Sequence, residues 1–285
     1  MSKPVVQLFS NPRAGAQKAR RISALVRAFE DLGAVVVQSV SADGPPVIDP
    51  AATHVCIAAG DGTVRHVAGA VARNSHAVSL SIYPAGTVNL LAMEAGYPSD
   101  PRRFAELVLQ GAASRRHYPV AMGDGYFFAC AGVGPDSVAV ERVSSGLKRR
   151  IGRLAYAVAA AGLLRDWPRH SIELDTGEHS LTCEAFYVAK GRYYAGRFRL
   201  ARNARGDDPL LHVIALTTAR RRDYLRFLWA VVTGADVAAL ARVRVLTCTS
   251  LTATADADLP LQADGDIVGK LPATLTVGEA PLVFC

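Results

Sequence analysis

The chain lacks a close pair of cysteines. Its five, Cys56, Cys130, Cys183, Cys248 and Cys285, are odd in number and widely scattered, which excludes a disulfide scaffold and a zinc framework and reads as reduced thiols. A long hydrophobic run is also missing. The longest uncharged apolar helical stretch, residues 154–164, sits between Arg153 and Arg165 and falls short of the roughly 20 residues a bilayer span needs. Met1-Ser2-Lys3-Pro4 leads directly into a strand, so no signal peptide is expected. There is no low-complexity segment and no Gly-x-x-x-x-Gly-Lys-Ser/Thr sequence, so the chain is not a P-loop enzyme. Nor is there a recognisable helix pair, zinc site or RNA-binding signature, and nucleic acid is not an expected partner. These absences leave a cytoplasmic protein that touches a membrane at most at its surface.

What is present is a 285-residue chain, half of it hydrophobic, long enough for one large domain or two modest ones with a real core. Its net charge of +7 and pI near 9.3 suit nucleic acid, anionic lipid or phosphate-rich ligands equally. The charge gathers at Lys148-Arg149-Arg150 with Arg153, at Arg197, Arg199 and Arg202, and at Arg220-Arg221-Arg222 with Arg226. The last group borders the apolar stretch 224–232, and two readings stay open there. One is an anionic membrane surface, the other a core-facing amphipathic helix with solvated arginines.

Up to Pro119 strands and helices alternate: a strand at 5–9, a helix over 16–32, strands at 34–40, 55 and 79, and helices over 90–95 and 104–109. That βαβα order predicts a parallel sheet with helices on both faces. From residue 120 the pattern turns to strands and hairpins, with Asp124-Gly125 as a hairpin signal before a strand at 126–130. Further strands are expected at 171–174, 185–189, 211–216, 243–249, 251–254 and 274–277, and helices near 147–166 and 223–232. The expected boundaries are 1–119 for a parallel α/β nucleotide-binding domain and 120–285 for a mostly antiparallel β domain.

Three strand-to-helix junctions in the first part carry glycine or proline turns. Ser10-Asn11-Pro12-Arg13-Ala14-Gly15 follows the first strand, and Ala59-Gly60-Asp61-Gly62-Thr63 stands between the apolar segment 53–58 and a helix from Val64. Pro84-Ala85-Gly86-Thr87-Val88-Asn89 follows the strand at 79–83. A strand, a glycine turn and a helix start direct backbone N–H groups and the positive end of a helix dipole at an anion. Glycine lets a phosphate approach the backbone. Strand ends on one edge of a parallel sheet share a crevice, so these turns could converge on one nucleotide.

With these segments in view, the chain resembles the diacylglycerol kinase catalytic-domain family of lipid kinases. That family includes sphingosine and ceramide kinases and shares a core with NAD kinases. The matching residues are Asn11-Pro12 with Gly15, Gly60-Asp61-Gly62-Thr63, and Pro84, Gly86-Thr87 and Asn89 with Leu91-Ala92. Further along come Ala131-Gly132-Val133-Gly134 with Asp136, Gly152-Arg153-Leu154-Ala155-Tyr156, Tyr193-Tyr194-Ala195-Gly196 and Asp264-Gly265-Asp266. The resemblance implies a β-sandwich-like second domain, an active site in the cleft between domains, and a final segment that returns to the first domain.

It also implies roles. Gly60, Gly62 and Thr63 would cradle the ATP phosphates, with Asn11, Pro12, Gly15, Thr87 and Asn89 holding the nucleotide from neighbouring turns. Asp266 stands where the family has the Glu that accepts the lipid hydroxyl proton, one methylene shorter, with Asp264 as its partner in the motif. Asp61 is the rival acid or Mg²⁺ anchor. The loop Arg205-Gly206-Asp207-Asp208-Pro209-Leu210 resembles one that holds a structural Mg²⁺, which assigns the Asp208 carboxylate and the carbonyls of Arg205 and Leu210 as ligands. Pro209 occupies a position where Gly is usual.

Plainer readings of the same residues remain: an ordinary tight turn at Gly60–Thr63, helix capping by Thr87 and Asn89, and a simple hairpin at Asp264-Gly265-Asp266. Ala59 for Gly, His66 for an acidic residue, Leu90 for Asp and Pro135 for an aromatic are further departures from the family pattern. Three function classes follow: an ATP-dependent lipid kinase acting on diacylglycerol, a sphingoid base or ceramide at a membrane surface; a kinase of a soluble acceptor; and a non-catalytic nucleotide- or lipid-binding protein. Oligomeric state is open, a homodimer included.

Overall fold

Strand β1 (Val5–Ser10) is apolar and buried almost throughout, the pattern of a strand covered on both faces. In the computed structural model, which describes residues 3–10, 16–40, 45–73, 78–86, 88–111, 114–142, 167 and 169–285, it lies inside a parallel sheet. Its neighbours are β2 (Val35–Val40) and β3 (His54–Ala58), and β4 (Ser79–Ile82) extends the sheet from β3, all in parallel register. Helices α1 (Ala16–Asp31), α2 (Asp61–Arg73), α3 (Leu90–Ala95) and α4 (Pro101–Gln110) connect or cover these strands, and β5 (Arg115–His117) follows. Helix α4 shows how locally the boundaries are written. Asp100 caps it by accepting the Arg103 N–H at 2.9 Å, Pro101 opens it, and Gly111 ends it with φ 62°. Phe104 of α4 then packs edge-on against Phe29 and Tyr83 in the core of this unit.

The chain divides into two units, residues 1–119 with 278–285, and 120–277. The second unit is built from two antiparallel sheets. Strands β6 (Val120–Met122), β7 (Gly125–Phe127), β8 (Cys130–Val133), β9 (Ile172–Asp175), β10 (Ser180–Cys183) and β11 (Ala185–Ala189) come first, with α5 (Pro135–Arg142) after β8. Next are β12 (Leu211–Leu216), α6 (Arg221–Thr233), β13 (Val243–Cys248), β14 (Ser250–Ala255), β15 (Pro260–Ala263), β16 (Asp266–Lys270) and β17 (Ala273–Val277). One six-stranded sheet runs β10-β9-β14-β17-β6-β7 and the other β13-β12-β11-β8-β15-β16.

Phe127, Leu174, Leu251 and Leu275 from the first sheet meet Val133, Phe186, Val188 and Val213 from the second in one buried core, which makes the pair a sandwich. Alternation along β11 sends Tyr187 to the opposite face, where it packs with Tyr224, Phe227 and Val231 of α6. The final strand, β18 (Leu282–Phe284), joins the first unit's sheet, parallel to β4 and antiparallel to β5, giving the order β2-β1-β3-β4-β18-β5.

Several expected boundaries shift, each for a local reason. The α2 helix starts at Asp61, so Gly62 and Thr63 lie in its first turn and the turn after β3 is shorter than expected. The hairpin of β6 and β7 turns at Gly123-Asp124, with Met122 facing Gly125 and Gly123 at φ 52°, one residue before the expected Asp124-Gly125. The strand expected at 126–130 is broken at Phe128 and Ala129, whose N–H groups are drawn to a side chain described below. Short strands β5, β10, β15, β16 and β18 and helix α5 have too few residues to show a period. The helix expected near 147–166 lies outside the described residues.

Candidate active site

At the ends of β3 and β4 the two glycine turns touch. A Cβ on Gly86 would fall 2.5 Å from the Gly60 Cα and 2.7 Å from Asn89 Oδ1, so only glycine allows this approach. Asp61 locks it. Its Oδ2 accepts the Asn89 N–H at 2.9 Å and its Oδ1 accepts the Leu90 N–H at 2.7 Å, capping α3 from a neighbouring strand end. Asn89 sits in the left-handed region at φ 57° and turns its own Oδ1 back to the Gly86 N–H at 3.0 Å. A carboxylate and an amide thus splint two turns into one rigid ledge.

On that ledge the first turn of α2 presents the N–H groups of Gly62 and Thr63, which have no partner within a helix of this direction. Gly60, Gly62, Thr63 and Gly86 are all partly exposed. The arrangement fits a phosphate: close-approach glycines, outward N–H groups and a helix N-terminus. It also revises Asp61, whose two oxygens are engaged with backbone and which serves here as a positioning residue. Asn89 holds the same kind of position. Arg21 of α1, not singled out by its sequence context, lies 5.2 Å over the Tyr83 ring and donates to the Pro84 carbonyl at 3.4 Å, bracing the second turn. Asn11, Pro12, Gly15 and Thr87 lie outside the described residues.

In the second unit, Asp264 and Gly265 form the two-residue turn between β15 and β16, with φ of 49° and 87°, and Ala263 faces Asp266 across it. The hairpin reading is therefore correct, and it is not the whole of it. Asp264 is buried, and its Oδ1 and Oδ2 accept the N–H groups of Phe128, Ala129 and Cys130 at 2.9, 2.9 and 3.1 Å. This is what breaks the strand at 128–129. A carboxylate holding three N–H donors has little capacity left for proton transfer, so Asp264 is a positioning residue and not a catalytic acid. Asp266 opens β16, partly exposed, with its backbone fixed by the hairpin.

The loop at 205–210 differs from expectation. The carbonyls of Arg205 and Gly206 accept hydrogen bonds from Lys190 Nζ at 3.2 and 3.1 Å, and the Asp208 carbonyl accepts a third. Lys190 is fully buried directly after β11. An ammonium offers three N–H donors, and all three are used here. The loop's carbonyls thus enclose a cation supplied by the chain itself, and a Mg²⁺ ion does not fit beside that charge. Arg205 gives its carbonyl to Lys190 and not to the expected metal, Asp208 likewise gives its carbonyl, and Leu210 is a half-buried residue leading into β12. The sequence signal was the single lysine in Val188-Ala189-Lys190-Gly191, a charge following an apolar strand.

A polar cluster joins two of the resembling motifs. Asp136, in the first turn of α5, accepts the hydroxyls of Tyr187 at 3.0 Å and Tyr194 at 2.9 Å, and the Tyr224 hydroxyl lies 3.1 Å from that of Tyr187, whose single proton is given to Asp136. Burial pushes the Asp136 carboxyl above the ordinary range, with the two tyrosine hydroxyls opposing that shift.

Two family models match the chain in order along its length. Residues 5–118 match the diacylglycerol kinase catalytic domain and residues 129–283 the YegS C-terminal NAD kinase beta sandwich-like domain. The chain belongs to the YegS family described by the second model, which covers more than half of it, and its first part carries the match to the diacylglycerol kinase catalytic domain. A relative from Pseudomonas aeruginosa named "Probable lipid kinase YegS-like" is 34% identical over 166 residues, 56% of this chain and 53% of that one. A Staphylococcus saprophyticus protein named "Diacylglycerol kinase" is 25% identical over 217 residues, 75% of this chain and 70% of that one. The match thus spans about half the length of the Pseudomonas relative.

Among solved structures, a diacylglycerol kinase from Bacillus anthracis superposes with a TM-score of 0.77 at 14% identity, covering 99% of this chain and 96% of that one. Yeast NADH kinase complexed with NADH gives 0.54 at 10% identity, covering 99% and 83%. At such identities the likeness is one of fold: a parallel α/β unit followed by an antiparallel sandwich. No helix among the described residues is long and apolar enough to cross a membrane.

Proposed function

We propose that this family member is an ATP-dependent lipid kinase that transfers the γ-phosphoryl group to the hydroxyl of a diacylglycerol-like lipid drawn from a membrane surface. The observation that supports it most is the splinted pair of turns, where Gly60 and Gly86 meet under the lock of Asp61 and Asn89. Phosphoryl transfer depends chiefly on positioning and charge stabilisation, and a rigid ledge of N–H donors supplies both. Gly60, Gly62 and Thr63 hold the ATP phosphates, and the family resemblance assigns Asn11, Pro12, Gly15 and Thr87 to the same nucleotide. Asp266 accepts the proton of the acceptor hydroxyl as its oxygen bonds to the γ-phosphorus and the bond to the bridging oxygen breaks, releasing ADP. A Mg²⁺ ion bound with the nucleotide would supply neutralisation of phosphate charge. The names of the curated relatives, lipid kinase and diacylglycerol kinase, support the choice of acceptor.

The test is incorporation of label from γ-labelled ATP into diacylglycerol, ceramide or sphingosine in mixed micelles. A positioned base contributes about 10²–10⁴-fold, so Asp266→Asn is expected to lower kcat by at least about 100-fold with nucleotide binding retained. Unlabelled lipid in every micelle, or label that persists at full rate in Asp266→Asn, would remove the assignment.

A further inference from the structure

Helix α6 has two apolar faces. Tyr224, Phe227, Ala230 and Val231 are buried against the outer face of the second sheet, as a core-facing amphipathic helix requires. Yet Leu225, Trp229 and Val232 stand 53%, 70% and 56% exposed. At about 100° per residue, these three fall within roughly 60° of one another on the side away from the core. Exposed leucine and valine occur singly on any surface, but an indole this open, in line with both, is unusual.

The charge around the stripe points to its partner. Arg221, Arg222 and Arg226 flank it, with only Asp223 of opposite sign on the helix. Asp223, its side chain 11% exposed, accepts from Thr218 and lies 3.8 and 3.9 Å from the guanidinium nitrogens of Arg222 and Arg226, whose side chains stay 72% and 73% exposed. At the far end Arg202 donates to the Gly234 carbonyl at 2.9 Å, adding another cation. A shallow apolar ridge with an indole at its centre and guanidinium groups along its sides matches the lipid–water boundary of an anionic bilayer, where tryptophan sits at headgroup depth and arginines meet phosphates.

We propose that α6 is the membrane-docking face, lying in the plane of an anionic lipid surface with Leu225, Trp229 and Val232 inserted and Arg221, Arg222 and Arg226 on the headgroups. The inference rests on the reading of the acceptor as a lipid and adds where the surface is met.

Flotation with phosphatidylcholine vesicles, with and without phosphatidylglycerol and without nucleotide, tests it directly. The native chain is expected to float with the anionic vesicles only. Trp229→Glu and the pair Arg222→Glu with Arg226→Glu are each expected to weaken that binding by at least about tenfold: the pair because each basic side chain near the surface adds about fivefold, Trp229→Glu because a carboxylate replaces the inserted indole. All these side chains are exposed, so unchanged melting curves are expected. Failure of the native chain to bind anionic vesicles, or variants that bind as well as it does, would overturn the proposal. So would a dimer in sedimentation equilibrium that Trp229→Glu dissolves, which would give this face to a second copy. Phosphorylation of a short-chain, monomeric diacylglycerol separates the two readings: it is expected to survive Trp229→Glu. Its absence in the native chain, with vesicle binding intact, would remove the kinase and leave the docking face standing.

Discussion

Asp61 in the first unit and Asp264 in the second each spend both carboxylate oxygens on backbone N–H groups, in settings that differ. Asp61 is partly exposed and joins two turns at the ends of neighbouring parallel strands. Asp264 is buried, sits at φ 49° within its own hairpin, and gathers three N–H donors from a broken strand. Both belong to glycine–aspartate motifs that read as chemistry, and both turn out to be splints. Beside them stand the groups that the proposed function uses: the α2 N–H groups next to Asp61 and the Asp266 carboxylate next to Asp264. The contrast is one of cost. A splint in contact with water loses part of its strength to solvation, whereas a buried one leaves unsatisfied donors behind when it is removed.

That contrast fixes an order of effects. Asp264→Ala is expected to be the most damaging, lowering unfolding free energy in a urea titration by about 3–5 kcal/mol because three buried N–H groups lose an ionised acceptor. A loss below about 1 kcal/mol would show that water replaces the carboxylate. Lys190→Met tests the same principle with the sign of charge reversed and should cost about 2–4 kcal/mol. The melting temperature of the native chain is expected not to respond to Mg²⁺ or to a chelator in the absence of nucleotide. A Mg²⁺-dependent rise would restore a metal to the loop at 205–210.

Asp61→Ala is expected to cost only about 1–2 kcal/mol, the scale of a helix cap, while weakening ATP binding by calorimetry far more than that suggests. Unchanged ATP affinity would separate the splint from the cradle. The smallest effect concerns Asp136, whose folded-state carboxyl titrates above its unfolded value because it is buried. Its contribution is complete below the ordinary carboxylate range and is lost as pH rises through the folded value. Stability measured from the ordinary carboxylate range upward should therefore fall with rising pH in the native chain and be flatter in Asp136→Asn.

The sequence displayed the α/β alternation, the long strands of the sandwich and the glycine turns at Gly60 and Gly86, because burial on both faces and tight turns leave periodic or compositional marks. It could not display partners distant in the chain. Nothing near Asp264 announces that Phe128, Ala129 and Cys130 need its oxygens, and Lys190 gives no local sign of the carbonyls 15 to 18 positions onward. The stretch at 224–232 was ambiguous between core and surface because α6 serves both, with two apolar faces summed into one run.

The position of β18 bears on how the chain is made. It sits between β4 and β5 in the first sheet, yet all of residues 120–277 are synthesised before it. During vectorial synthesis the open edge of β4 must wait for a strand some two hundred residues later, with Cys285 reaching back 205 positions to Leu80. Until then that edge is a template for any passing strand. The nascent chain is thus most vulnerable to aggregation while its second unit is already complete, and a ribosome-bound chaperone would find its target in the half that was translated first.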